Sequence, residues 1–144
     1  MSTRSTAHFY WGDSDKPTAI IYRHSDGYPE GAGVDIHKFL DQCGKLADPR
    51  FNDPSYLAAR YVVFLADKFN YTYKPGDFST QLQALRRGKY VRPKSKMDFI
   101  SVGVMEQDPD DIEYRYTIRC NDEDRPEVKC FEVLNAREVP IPKH

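Results

Sequence analysis

Five polar or ionisable side chains crowd one short stretch, Tyr22-Arg23-His24-Ser25-Asp26-Gly27-Tyr28-Pro29-Glu30-Gly31. Arg23, His24, Asp26, Tyr28 and Glu30 are the types that phosphodiester chemistry uses: Arg23 as a bidentate partner for an anion, His24 as general acid or base, and Asp26 orienting the imidazole. The segment ahead, Thr18-Ala19-Ile20-Ile21-Tyr22, is β-branched and apolar and predicts a strand. Asp26-Gly27 predicts a turn, in which glycine takes a positive φ without steric cost, and Pro29 pushes Tyr28 out of the helical region. A helical pattern begins near Gly31, so the free N–H groups around Gly31 to Gly33 are a third candidate contact for an anion. A structural account competes with this one: Asp26 makes an Asx-turn, Arg23 pairs with Glu30, His24 bonds a backbone carbonyl, and Tyr28-Pro29 sets the helix entry. Alternation along a strand places Arg23 and His24 on opposite faces, so only one of them can enter a given cleft unless the strand bulges or ends between them.

Other chemistry is sparse. His24, Asp26, Glu30 and His37 match no coordination pattern, and no metal or other cofactor is expected. No serine or cysteine stands in a triad, nucleophile-elbow or phosphate-loop context, and His8 reads as an exposed strand position. A second binding candidate is the run from Arg86 to Lys96, which holds six cations and no acid. Arg86, Arg87, Lys89 and Arg92 can neutralise phosphates while Tyr90 stacks on a base; the plain alternative is a solvated loop.

The elements that must position these residues follow in chain order. Ser5 to Trp11 and Thr18 to Tyr22 flank a polar turn and predict a β-hairpin. Ile36, Phe39, Leu40 and Cys43 recur at helical spacing, with Gly44 placed to end a helix from about Gly31. Asp53 as N-cap and Pro54 at the first helical position open a second helix, with Leu57, Tyr61, Phe64, Leu65 and Phe69 on one stripe and Asn70 at its end. A short strand at Tyr71 to Tyr73, a turn at Lys74 to Asp77 and one or two helical turns from Phe78 precede the basic run. Phe99 to Met105 and Ile112 to Cys120, separated by an acidic turn, predict a second hairpin, with Ile112, Tyr114, Tyr116, Ile118 and Cys120 facing the core. Val128 to Leu134 predicts a fifth strand, and the tail from Pro140 should fray. The fold expected is α+β: one domain over residues 1–144, with a mainly antiparallel sheet of about five strands and two helices packed on one face.

A length of 144 residues suits one compact core. A formal charge of −1 excludes binding to nucleic acid through the overall field and leaves only a local patch. No apolar run reaches the ~20 residues of a membrane span, and no apolar signal core opens the chain, so no membrane partner and a cytoplasmic location are expected. Cys43, Cys120 and Cys130 are too few for a disulfide framework and are expected as thiols, although Cys120 and Cys130 could meet across a hairpin.

Three stretches together, Tyr22 to Gly31, Tyr56-Leu57-Ala58-Ala59-Arg60-Tyr61 and Asp111 to Ile118, resemble a family of small uncharacterised bacterial and bacteriophage proteins. The likeness spans the domain except for the region from Arg86 to Lys96, which resembles a variable insertion. The resemblance implies a prokaryotic or viral setting and no particular reaction. The sequence therefore points to a non-catalytic protein-interaction or accessory module whose partner is another protein. The alternative is a phosphodiesterase or nuclease-like enzyme using Arg23, His24 and Asp26, with a phosphate-bearing ligand or nucleic acid held at the basic run.

Overall fold

The computed structural model describes residues 2–69, 101–122 and 124–143. The predicted strand at 71–73, the turn and helical turns after it, and the basic run 86–96 lie outside these residues.

The first hairpin forms as expected. Strand β1 (Ser5–Trp11) pairs antiparallel with β2 (Ala19–Arg23), Ala7 facing Ile21 and Phe9 facing Ala19. Ala7, Phe9 and Ile21 point to the core, while Thr6, His8, Tyr10, Ile20 and Tyr22 lie on the reverse face, as the period of two requires. The chain then enters a π-helical turn at Pro29–Gly33 that continues into α1 (Val34–Gly44), and α2 follows at Pro54–Phe69. Asp53 caps α2 as expected, its Oδ1 accepting from the backbone N–H groups of Ser55 and Tyr56 at 3.0 and 3.3 Å. Gly44 is the last residue of α1 rather than a left-handed residue beyond it, because Lys45 follows in right-handed geometry.

Both helices cover one face of the sheet, in agreement with the α+β expectation. Leu57, Tyr61 and Leu65 are buried, and Phe64 packs at the margin. The Tyr61 ring sits 5.7 Å from Phe9 and 5.2 Å from Phe39, joining sheet, α1 and α2 at one point. Fully burying each such aromatic is worth about 1.5–3 kcal/mol relative to leaving it in water.

The sheet differs from the expected one in size and direction. It has six strands in the order β3-β2-β1-β4-β5-β6, with β3 at Val102–Met105, β4 at Tyr114–Cys120, β5 at Glu127–Glu132 and β6 at Arg137–Val139. The second hairpin does not form. β3 pairs antiparallel with β2, and β4 runs parallel to β1, with Ala7 opposite Tyr116 and Phe9 opposite Ile118. The reason is that the first hairpin leaves an unpaired edge on each side. The two later strands each take one edge instead of pairing with each other, and the acidic segment between them becomes a crossing over the sheet. β4 nonetheless turns the expected face inward: Tyr116, Ile118 and Cys120 are fully buried, and Tyr114 is partly buried against the core.

Val133 to Ala136 turns the chain into β6, a sixth strand that short and polar Arg137–Val139 does not announce. The tail does not simply fray, since Ile141 packs against the core. Cys43, Cys120 and Cys130 are free and buried. Cys130 lies opposite Tyr116 in the register, not opposite Cys120. Burial pushes the Cys120 thiol up to about 12 and the Cys130 thiol to about 11, which keeps both in the unreactive protonated form.

Candidate functional site

The motif lies at the junction where β2 hands over to the π-helical turn. Arg23, the last residue of β2, points to the helix-covered face and is only 2 % exposed. Its Nη1 donates to Asp35 Oδ2 at 2.7 Å and its Nε to the Ser25 carbonyl at 2.7 Å, while the Phe69 ring lies 5.0 Å from its guanidinium carbon. Lys68 Nζ stands 3.4 Å from the same Asp35 oxygen, so two cations share one carboxylate. Arg23 Nη2 is buried without a hydrogen-bond partner among the described residues. Tyr61 closes the site, its hydroxyl pushed up to about 12 by burial, with the Arg23 charge pulling the other way.

The carboxylate that pairs with Arg23 is Asp35, not the expected Glu30. A signal for Asp35 was present: it stands one position before Ile36 and four before Phe39, on the apolar stripe of α1. A carboxylate at such a position must be matched inside the fold.

His24 points to the opposite face, as alternation requires. Its backbone N–H donates to the Ser101 carbonyl at 2.7 Å, and its ring Nδ1 lies 2.8 Å from the Tyr22 hydroxyl. Among the described residues the side chain that orients the imidazole is Tyr22, in place of the expected Asp26 or backbone carbonyl. Asp26 carries the turn's positive φ, at 54°, in place of Gly27. Gly27 is needed for a different reason. Its backbone N–H donates to the Thr3 carbonyl at 2.9 Å, and a Cβ there would come within 2.8 Å of Ser5. The buried Tyr116 hydroxyl donates to the Gly27 carbonyl at 2.8 Å, tying the turn to the middle of the sheet.

The Tyr28 hydroxyl donates to Asp26 Oδ1 at 3.3 Å, and the nearby carboxylate raises the phenol above its ordinary value. Two of the three N–H groups named as anion contacts are in use: that of Gly31 donates to Tyr28 and that of Ala32 to Asp26, each at 2.9 Å to a backbone carbonyl. The junction therefore brings Asp26 and Tyr28 together, buries Arg23 and turns His24 away from it. Glu30 is exposed on the turn. Among the described residues no group of three or more His, Cys, Asp or Glu side chains is placed to hold a metal ion. Arg86, Arg87, Lys89, Tyr90 and Arg92 lie outside the described residues.

A denser polar cluster lies on the reverse face of the sheet and was not singled out in the sequence. His8 is buried rather than exposed, and its Nε2 lies 2.6 Å from Asp108 Oδ1. Thr6 Oγ1 donates to the same oxygen at 2.6 Å, and Arg115 reaches Asp108 Oδ2 through both Nε and Nη2 at 2.7 Å. Burial alone would raise the Asp108 carboxyl. Hydrogen bonds from His8, Thr6 and Arg115, with the charge of His8, outweigh it and hold the group at about 2.

An ionised Asp108 accepts only, so the proton between the two lies on Nε2, while the ring's Nδ1 stands 3.3 Å from the Tyr10 hydroxyl. Arg119 stacks 4.1 Å over the Tyr10 ring. The result is a Tyr10–His8–Asp108 chain of contacts in which His8 and Tyr10 are each under a tenth exposed. The groove beside it, about 460 Å³, is lined by residues 104–110 and reaches Asp108 without reaching His8 or Tyr10. The cluster's evident work is mechanical: it pins the crossing between β3 and β4 onto the sheet. The signal for it was a polar Thr6-x-His8-x-Tyr10 series, alternate residues of a strand whose other face is apolar.

No family model matches the chain, and no match was found among curated proteins or solved structures. No helix of the described residues is long and apolar enough to cross a membrane.

Proposed function

We propose that this chain is a small non-catalytic accessory module of a prokaryotic or phage cytoplasm that works by binding another protein. The observation that carries the reading is the fate of Arg23. The cation that phosphodiester chemistry would require at an open cleft is 2 % exposed and committed to Asp35 and the Ser25 carbonyl. Support for a binding role comes from a groove of about 320 Å³ where the start of β4 meets the β5–β6 turn. Ile112, Tyr114 and Leu134 line it, the last 91 % exposed. Asp111, Glu113 and Glu132 complete the rim, with Glu30 adding to the negative field around Tyr114. Among the described residues Arg4 and Arg137 offset two of these charges, at Asp111 and Glu132. An apolar floor with an acidic rim fits a basic segment of a partner that carries an apolar anchor.

The test uses the purified protein. It should turn over no nucleotide, cyclic dinucleotide or nucleic acid, and it should retain a protein partner from a lysate of its host. Leu134→Asp, at a side chain 91 % exposed, should abolish that retention while leaving the thermal melt in place. Phosphodiester hydrolysis that disappears in a folded His24→Ala protein would overturn the reading.

A further inference from the structure

A separate surface on the helical layer joins exposed apolar side chains to a cation and an anion on one helix face. Between α1 and α2 runs a groove of about 200 Å³, lined by Phe39 and Leu46 from the α1 side and by Arg60, Val63, Phe64 and Asp67 from α2. Val63 is 61 % exposed and Leu46 47 %, both large for aliphatic side chains on helices that elsewhere bury their apolar stripe. The four α2 residues stand at i, i+3, i+4 and i+7, so they share one face over about 10 Å of helix.

We propose that a second copy of this chain docks here, α2 against α2 in antiparallel sense, about a two-fold axis that passes between Val63 and Phe64. Such an axis exchanges position 60 with 67 and position 63 with 64. Each Arg60 then meets Asp67 of the second copy, at both ends of a centre formed by Val63 and Phe64. The face is its own electrostatic complement, with one cation and one anion equidistant from an apolar middle. That is the condition an isologous contact must satisfy. A partner of one sign would be matched at one end and opposed at the other, which favours a second copy over an unrelated helix.

The groups are also prepared for the contact. Arg60 Nη1 is held by the Pro49 carbonyl at 2.7 Å, so the side chain surrenders little freedom on docking. Asp67 is exposed and has an interaction within its own chain, which a carboxylate can share with an arriving guanidinium. The surface shares no lining residue with the groove at Tyr114 and Leu134 and does not depend on the partner proposed for it.

Sedimentation velocity over a micromolar concentration series should show a monomer–dimer equilibrium for the full chain. Arg60→Glu and Asp67→Arg, each alone, should weaken it roughly tenfold or more, because each sets like charges opposite each other twice. An equimolar mixture of the two variants should recover the dimer, since every charged contact in the heterodimer is then between opposite signs. Should Arg60→Glu lose its fold through the Pro49 contact, Val63→Cys decides the matter. It should give a covalent dimer on mild oxidation while Tyr56→Cys, exposed but away from the axis, does not. A wild-type chain that stays monomeric, a mixture of folded variants that fails to associate, or equal cross-linking at positions 56 and 63 would each overturn the proposal.

Discussion

At the end of β2, Arg23 rests on Asp35 inside the layer between sheet and helices. Near the middle of β1, on the reverse face, His8 rests on Asp108 beneath a crossing loop. Both sites sink a cation or potential cation onto an aspartate, but the partners stand at very different sequence distances, 12 residues in one case and 100 in the other. The near pair settles a local problem, how the strand end and the first turn of α1 share a dry space. The distant pair settles a topological one, because it fastens the segment that carries the chain from the β3 edge to the β4 edge. Partner distance, more than residue type, separates a side chain that completes an element from one that selects how elements are joined.

The largest effect is expected at the drier pair. Arg23→Ala leaves Asp35 buried with Lys68 as its one cation among the described residues and should cost about 3–5 kcal/mol in urea unfolding. The pair Arg23→Met with Asp35→Leu should regain most of that loss, since apolar side chains of similar volume can replace a buried ion pair. A single-variant loss under about 1 kcal/mol would mean that water reaches the pair and that the contrast in burial is false.

A smaller loss is expected on the reverse face, where Asp108→Asn removes a charged acceptor from three donors and should cost about 1.5–3 kcal/mol. The pH profile sharpens the distinction. The Asp108 carboxyl sits at about 2, below its ordinary value of 3.8, so the folded state gains stability above that ordinary value. The gain should drain away as pH falls from about 4 to about 2. In Asp108→Asn that acid limb should flatten; an unchanged limb would assign acid sensitivity to other carboxylates.

The smallest effect is expected at His24, whose ring is half-buried and bonded to Tyr22. His24→Ala should cost about 1 kcal/mol, the net worth of a typical hydrogen bond, and should leave the far-ultraviolet spectrum unchanged. A loss approaching that of Arg23→Ala would show the two neighbours acting as one unit, contrary to their placement on opposite faces.

Sequence alone determined whatever depends on local geometry. The period of two placed Arg23 and His24 on opposite faces and turned Tyr116 and Ile118 inward. Asp53-Pro54 opened α2 at the right residue, and the polar turn before Thr18 joined the first two strands as a hairpin. Each follows from backbone preferences and side-chain spacing within a few residues. Tertiary structure decided which strand edges met: the parallel pairing of β1 with β4, the addition of β6, the commitment of Arg23 to Asp35 and the gathering of Thr6, His8 and Arg115 around Asp108. A strand's alternation is the same whichever neighbour it takes. The choice therefore waits on which edges earlier pairing has left open and which distant carboxylate can satisfy the polar groups that closure buries.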